Sequence, residues 1–439
     1  MEPVWDVVVV GAGPAGASAA LSALRSRPDA RVLLLDRDDF PRDKACGDGI
    51  APHVFDVLAS VGVVGIEAGY APVDRLRIGF ASGPAAAGVM TRAAYVIPRA
   101  DFDARLVQAA VQRGAQLRRH RVRTVTERGD LVVLDGETRA RAVIAADGAS
   151  SVLRRQVAPS SIAAWTWPPD RPVPWRLGRK PPPSSARTHT AVAIRGYAPV
   201  AESRAGEQVI VFSAPESGSG PDPGSDLTPL PNPGSGAGPD GAGRASWPAY
   251  AWSFPIGDGR ANVGYGELLA SGKPLSRRHL LERLEQLLPG AGTDAESWRA
   301  HLLPLSTGRP RQPDGRILLA GDAMNLINPV TGEGIFYAVS SGVLAGRAAL
   351  NPGDLDAGRA YRAELRRTLG WHLRHTDAAT ALARSPAVMA AAIRASERSP
   401  RVFDDLVELG LGAGKLTPPA LASIATALIR RSVRVRLTE

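Results

Sequence analysis

A continuous apolar run opens the chain from Val4 to Val10, which is the pattern of a strand buried on both faces. A glycine-rich turn follows at residues 11–16, and after it comes a helical stretch of small and apolar residues. A second apolar run, Arg31–Leu35, ends at the acidic residue Asp36. This order predicts a strand, a tight turn, a helix and a second strand, the βαβ unit of a doubly wound α/β sheet.

Further apolar runs and wider apolar spacings predict the remaining strands and helices. Strands are predicted at 76–80, 94–97, within 116–134, and at 142–146, 191–197, 208–213, 250–254, 261–266 and 316–320. Helices are predicted at 52–61, from residue 98 onward, at 277–288 and at 334–349. A linker is predicted after residue 288, and residues 355–439 have helical patterns throughout. The pair Pro418-Pro419 predicts a break in the last region.

A chain of 439 residues exceeds one ordinary hydrophobic core. The patterns predict an α/β protein with a discontinuous Rossmann-like domain, an inserted antiparallel-sheet substrate domain and a C-terminal helical region. The predicted limits are 1–75, 99–156 and 300–350 for the first domain, 76–98 and 185–299 for the second, and 351–439 for the helical region. Residues 215–248 contain mostly Gly, Pro, Ser and Asp, and we expect a flexible insertion there.

The glycines of the first turn have the spacing of a dinucleotide-binding motif. Gly11 permits the tight turn, Gly13 allows a pyrophosphate to approach the backbone, and Gly16 allows the helix to pack closely on the sheet. Asp36 lies 20 residues after Gly16, where an acid accepts hydrogen bonds from a ribose, which disfavours NADPH at this site. The motif predicts bound FAD or NAD, and the alternative is an ordinary tight packing turn.

A second glycine-rich segment near the end of the α/β pattern favours FAD. The predicted strand 316–320 ends in Gly-Asp, which places Asp322 at the edge of the sheet where ligands bind. Gly332 and Gly334 then open another helix directed at the same crevice, and its N-terminus can face a second negative charge. A simple NAD dehydrogenase does not need this segment, whereas a flavin ring does. The alternative is a helix cap with a glycine packing contact.

The amino-acid composition limits which binding partners and which cellular compartment fit this chain. The formal net charge is +10, yet lysine occurs only four times, so the basic excess is almost entirely arginine. The arginines are scattered, which argues against nucleic acid, and a membrane surface or a phosphorylated lipid fits the charge better. Cys46 is the only cysteine, which excludes an internal disulfide and fits a reducing cytoplasm. Glu2 and Asp6 stand where a secretory signal needs positive charge.

Glycines and a proline interrupt the apolar stretch Val7–Leu24, so it does not predict a transmembrane span. We therefore expect a cytoplasmic protein, soluble or at most peripheral at the inner face of the membrane. The sequence predicts no metal site, and it leaves the oligomeric state open.

Six motifs occur in an order that resembles the geranylgeranyl reductase family, within the flavoproteins related to para-hydroxybenzoate hydroxylase. They are GAGPAG, DRDDFPRDKACGDG, IPRADFD, AADGASS, YAWSFPIGDGRANVGYG and GDAMNLINPVTGEGI. The resemblance implies FAD contacts from Ala15, Asp36, Cys46, Gly47, Gly49, Arg99, Val122, Asp322, Gly334 and Ile335. It also implies that Arg99 lies near the polar half of the cofactor, the alternative being a solvated arginine at a helix start. It implies that Cys46 is a catalytic residue beside the isoalloxazine ring, the alternative being a small buried hydrophobic side chain.

The sequence allows two interpretations for each of two further features, an aromatic strand face and an aspartate. Tyr250, Trp252 and Phe254 alternate on one strand face, where they either line an apolar substrate tunnel or form an ordinary core stripe. Asp147 either supports the cofactor or closes the turn after its strand. Met324 stands at a position that is often His in aromatic hydroxylases of the superfamily, which disfavours hydroxylation.

The resemblance implies a reductase of carbon–carbon double bonds in an isoprenoid or other apolar substrate, either a geranylgeranyl lipid or the tail of a quinone. NAD(P)H or another reductant would supply electrons, although no second dinucleotide motif is visible. The proton donor is open between Cys46, an ordered water and a tyrosine. The alternatives are a monooxygenase or dehydrogenase of a specialised metabolite and a non-catalytic FAD-binding scaffold.

Overall fold

The computed structural model describes residues 3–157, 189–200, 202–213, 249–269, 275–350 and 356–438. The predicted insertion, 215–248, lies outside the described residues. The strands are β1 (Trp5–Val10), β2 (Val32–Asp36), β3 (Gly49–Ile50), β4 (Pro72–Phe80), β5 (Ala85–Val96), β6 (Gln116–Arg119), β7 (Val125–Arg128), β8 (Leu131–Leu134), β9 (Thr138–Ala145), β10 (Thr190–Pro199), β11 (Glu207–Phe212), β12 (Tyr250–Pro255), β13 (Arg260–Leu268), β14 (Glu296–Pro304) and β15 (Ile317–Leu319). The helices are α1 (Pro14–Ser26), α2 (Pro52–Ser60), α3 (Arg99–Gln112), α4 (Val152–Val157), α5 (Arg277–Leu287), α6 (Ile335–Ala349), α7 (Ala357–Ala383), α8 (Pro386–Arg398), α9 (Pro400–Leu411) and α10 (Pro418–Thr438).

The first sheet has the order β6-β2-β1-β9-β8-β7, and β15 pairs with β9. Strand β1 is parallel to both β2 and β9, so the carboxyl ends of these strands lie at one edge, where a ligand of a doubly wound sheet binds. Their apolar runs form the main core together with α1 and α6. The two helices approach closely because α6 has glycines there: a Cβ atom on Gly346 would lie 2.1 Å from the Ala19 carbonyl oxygen. The Rossmann-like prediction is confirmed.

The second sheet has the order β14-β10-β13-β12-β11-β4-β5-β3. Its neighbouring strands pair antiparallel, as predicted, except that β11 and β4 pair in parallel, which corrects the prediction at this one pair. No hairpin joins these two strands, so a local turn does not fix their relative direction. Strand β14 is also a correction, since it occupies the predicted linker and pairs with β10. It crosses the predicted limit at residue 300, and the division of the chain into domains stays a prediction.

The C-terminal region is helical, as predicted, and Pro418 begins α10 after a break. Pro386 and Pro400 begin two further helices, since proline is tolerated in the first turn of a helix. Helices α8 and α9 pack on β5, where Gly88 faces the ring of Phe403. Among the described residues, no helix is both long and apolar enough to cross a bilayer.

Candidate active site

A cavity of about 1020 Å³ runs from the carboxyl edge of the first sheet to the C-terminal helices. The predicted site residues that line it are Gly11, Gly13, Ala15, Asp36, Cys46, Gly47, Gly49, Arg99, Val122, Asp147, Tyr250, Trp252, Phe254, Asp322, Gly332, Gly334 and Ile335. Gly16 is the exception, because a Cβ atom there would lie 1.8 Å from the Gly11 carbonyl oxygen. Gly16 therefore serves the packing of α1, and the other predicted residues converge on one space.

The N-terminus of α1 forms a positive end of this cavity. No side chain caps the helix at Gly13, so its first N–H groups are directed at the cavity. A Cβ atom on Gly13 would lie 3.4 Å from Arg42 Nη2 and 3.9 Å from Arg99 Nη2. Burial disfavours the charged form of Arg99, but its two bonds to Asp103, at 2.7 and 2.8 Å, outweigh this and raise the pKa of the guanidinium. Two fixed cations and a helix start fit a pyrophosphate.

The two aspartates at the strand ends bind backbone groups. Asp36 accepts hydrogen bonds from the N–H groups of Ala12, at 2.7 Å, and Asp38, at 3.0 Å, which orients the carboxylate at the end of β2. Asp147 accepts bonds from Ser151 Oγ at 2.6 Å and from the Val152 N–H at 2.7 Å. The hydrogen bonds of Asp147 therefore favour turn closure, although its side chain also lines the cavity.

The second glycine segment supplies the opposite wall. Asp322 follows β15, and its Oδ2 lies 3.1 Å from Lys44 Nζ. Burial opposes ionisation of Asp322, but Lys44, His301 and Arg99 together outweigh burial and lower the pKa of the carboxyl. Glu333 stands between Gly332 and Gly334 and accepts the Phe336 N–H at 2.7 Å, which caps the N-terminus of α6.

Burial raises the pKa of Glu333 from 4.5 to about 7, although the N–H groups of Phe336 and Ile335 favour the carboxylate. In the unfolded chain this carboxyl loses its proton near its ordinary pKa, whereas the folded protein retains the proton until about pH 7. Glu333 therefore makes the free energy of unfolding fall between these two pKa values. The variant Glu333→Gln lacks this slope.

We expect Glu333→Gln to gain stability relative to the wild type from about pH 5 to about pH 8. Urea unfolding of both proteins at both pH values, at equal cofactor occupancy, measures the difference. A stability difference that is equal at the two pH values would contradict a Glu333 carboxyl that stays protonated in the folded protein up to about pH 7.

Cys46 lies in the loop between β2 and β3 and packs against the main core. Burial raises the pKa of its thiol, and the charge of Asp48 acts in the same direction. The guanidinium of Arg99 opposes this, both by its charge and by a hydrogen bond to the sulfur. The thiol therefore keeps its proton at neutral pH, and a cation stands beside it to stabilise the thiolate.

Three aromatic rings of β12 form a wall beside Cys46. The ring centroids of Tyr250 and Trp252 are 5.9 Å apart, and those of Trp252 and Phe254 are 6.4 Å apart. A Cβ atom on Gly47 would lie 3.4 Å from the Phe254 ring and 3.5 Å from Trp252 Nε1. The rings both line the cavity and pack in a hydrophobic cluster, so their positions agree with the core interpretation and with the tunnel interpretation alike.

Beyond this wall the cavity continues between the second sheet and the C-terminal helices. We call this part the apolar arm, and its lining residues are Leu76, Ile78, Ile210, Phe212, Met389, Ala392, Ile393, Leu406, Val407, Leu409, Leu421, Ile424 and Leu428. None of these side chains is charged. An elongated apolar ligand fits such a space, whereas a polar one would lose its hydrogen bonds to water there.

Sequence reasoning missed Glu333, Asp48 and Asn262 as site residues. Glu333 and Asp48 stand between predicted site glycines, so an acid flanked by glycines in a ligand loop was the available signal. Asn262 and the helical side of the apolar arm depend on contacts between distant parts of the chain, for which the sequence carries no local signal.

Comparisons with known proteins identify relatives of this chain. A family model described as an FAD binding domain matches residues 4–166. Over 382 residues the chain is 32% identical to a menaquinone reductase of Mycolicibacterium smegmatis. This alignment covers 81% of this chain and 79% of the relative. Over 370 residues it is 30% identical to digeranylgeranylglycerophospholipid reductase 1 of Methanopyrus kandleri, with 79% and 80% of the two chains covered.

Solved structures share the fold. A geranylgeranyl bacteriochlorophyll reductase-like protein of Thermoplasma acidophilum aligns with a TM-score of 0.69 and 18% identity over 97% of this chain and 99% of that one. A flavin-dependent brominase aligns with a TM-score of 0.66 and 15% identity over 99% and 100% of the two chains. The helix start, the two arginines and the glycine segments fit FAD. On the sequence relatives and the shared motifs, the chain belongs to the geranylgeranyl reductase family of FAD-dependent oxidoreductases.

Proposed function

We propose that this protein reduces carbon–carbon double bonds in the polyprenyl chain of a lipid or quinone. The observation that carries the proposal is the apolar arm, which is continuous with the cofactor end of the cavity and with Cys46. Relatives named for reduction of menaquinone and of digeranylgeranylglycerophospholipid support the substrate class. An unactivated alkene offers no polar group to bind, so shape and water exclusion must position it.

Reduction of the double bond requires a hydride at one carbon and a proton at the other. When bound and reduced, FAD would supply the hydride for one carbon. Cys46 donates its thiol proton to the other carbon, and the Arg99 guanidinium stabilises the resulting thiolate until it is protonated again. The rings of Tyr250, Trp252 and Phe254 exclude water and hold the chain. The balance is one hydride and one proton added, with NAD(P)H or another reductant restoring the cofactor.

An anaerobic assay tests the proposal. Reduced enzyme is mixed with geranylgeranyl lipids and with menaquinone, and the products are weighed by mass spectrometry. We expect a gain of two hydrogens per reduced double bond. A product that forms only with oxygen and carries an added oxygen atom would support a monooxygenase instead.

The apolar arm predicts how chain length is selected. We expect Ala392→Trp to lower kcat/KM for a geranylgeranyl chain by about 100-fold, because each excluded CH₂ group loses about 0.8 kcal/mol of burial. A geranyl chain should react at its former rate. Ala381→Trp is the matched control, since Ala381 is exposed on α7 and does not line the cavity. Equal losses for the long and short chains would contradict the arm as the binding site of the chain.

We also propose peripheral contact with the inner face of the membrane through α10. Leu421 lines the cavity and is 42% exposed, and Ile429 on the same helix is 64% exposed next to the exposed Arg430. Apolar side chains beside a cation fit an anionic lipid surface.

We expect Ile429→Glu to weaken co-sedimentation with phosphatidylglycerol vesicles by about fivefold, because it exchanges an inserted apolar group for a repelled charge. Val64→Glu is the control, because Val64 is exposed in the turn after α2, a different part of the surface. Wild-type vesicle binding by the α10 variant would rule out this surface.

A further inference from the structure

The loop that carries Cys46 also contains a buried carboxyl group, Asp48. Its backbone is left-handed, with φ of 59°, and its side chain is fully buried. Oδ2 accepts hydrogen bonds from Tyr197 Oη at 2.6 Å and from Asn262 Nδ2 at 2.8 Å. Oδ1 is buried and has no hydrogen-bond partner among the described residues. An unpaired buried carboxyl oxygen costs stability, so its retention calls for a reason.

Asn262 connects three parts of the site. Its Nδ2 group donates both to Asp48 and to the Cys46 carbonyl oxygen, each at 2.8 Å. Its Oδ1 accepts the indole N–H of Trp252 at 2.9 Å. Asn262 is fully buried on β13, whose pairing with β12 and β10 fixes it in the second sheet. One amide therefore joins the aromatic wall to the backbone of the reactive cysteine.

We propose that Asp48 and Asn262 are positioning residues, which hold the Cys46 thiol at a fixed place between the cofactor end and the aromatic wall. The catalytic consequence rests on the proposed function, whereas the position of the thiol does not. Asn262 lies on a strand of the second sheet, whereas Asp48 lies in the loop between β2 and β3, so their hydrogen bond connects the strand beside the substrate wall to the loop that carries Cys46.

The surrounding charges agree with this role. Burial raises the pKa of Asp48 to about 6, while Tyr197, Asn262 and the charges of Arg195 and Arg99 favour its ionised form. The backbone N–H of Asp48 favours the thiolate and so partly offsets the rise that burial causes in the pKa of Cys46. Loss of the hydrogen bonds from Asn262 to Asp48 and to the Cys46 carbonyl oxygen would free the loop and expose the sulfur to reagents that the packed loop excludes.

The single cysteine gives a direct measurement of this position. The FAD-loaded enzyme is treated anaerobically with N-ethylmaleimide in the absence of substrate, and alkylation of Cys46 is followed by mass. We expect Asn262→Ser to accelerate alkylation by about fivefold or more. It should also lower kcat for alkene reduction by about tenfold to 100-fold with little change in KM, since the three ring side chains that face the substrate are unchanged.

Tyr197→Phe is the second variant, which removes one donor to Asp48 without a volume change, and it keeps the proposal testable if Asn262→Ser does not fold. It should change alkylation and kcat in the same directions but less. Tyr265→Phe is the matched control, because the Tyr265 hydroxyl donates to Glu267 and not to the cysteine loop. Wild-type alkylation rates in both test variants would overturn the proposal. Accelerated alkylation in an enzyme that reduces no alkene would retain it and overturn the proposed function instead.

Discussion

Replacing Gly13 with valine is expected to abolish FAD binding while the chain remains folded. Gly13 has φ of −69°, which valine adopts without strain, and the nearest atoms to an added Cβ are the ends of Arg42 and Arg99. The branched side chain would therefore occupy the space between the helix start and the two cations. Because that space fits a pyrophosphate, we expect affinity to fall by at least about 100-fold. Flavin absorbance after purification and fluorescence titration with FAD measure the loss.

Variants at two other glycines are controls that separate loss of FAD binding from loss of folding. Gly206 has no atom within 4 Å of an added Cβ, so Gly206→Val should leave both FAD binding and folding unchanged. Gly16→Ala should instead lower the thermal midpoint, because its Cβ would overlap the Gly11 carbonyl oxygen. A Gly13→Val protein that retains wild-type affinity for FAD would place the phosphates elsewhere in the cavity.

The parts of the fold that the sequence predicted are those set by local pattern. The strand, turn and helix at the start of the chain follow from a continuous apolar run and three glycines within a short segment. Strand β14 was missed because most of its side chains are exposed, so its alternation is weak, and its partner β10 is about 100 residues away. The parallel pairing of β11 with β4 is likewise a tertiary result that no turn signals.

The same distinction applies to the site. Cys46, Asp322 and the glycines other than Gly16 stand in segments whose residue types already indicate a ligand, and the structure brings them to one cavity. The apolar arm was not predicted as a whole, because amphipathic C-terminal helices give no information on which apolar residues face a cavity and which fill a core. Met389 and Ile393 belong to both, since they line the arm and pack in the hydrophobic cluster below it.

Replacing Cys46 with alanine is expected to lower the rate of alkene reduction by about 100-fold to 1000-fold, the usual range for loss of a positioned general acid. The raised pKa keeps the thiol protonated at neutral pH, and Arg99 favours the thiolate that remains after proton donation. FAD affinity should change little, because the arginines and the helix start that fit the pyrophosphate are untouched. Single-turnover oxidation of the reduced flavin by substrate, followed anaerobically, measures the step directly.

Cys46→Ser separates proton donation from volume, because serine nearly preserves the size of the side chain but is a far weaker acid. If the thiol proton is required, serine and alanine should be similarly slow. A wild-type rate in both variants would move the proton source to another group in the cavity. Glu333 is then the first candidate, since burial raises the pKa of its carboxyl to about 7 and it lines the same space. The rate of Glu333→Gln would decide between them, because glutamine has no acidic proton to donate.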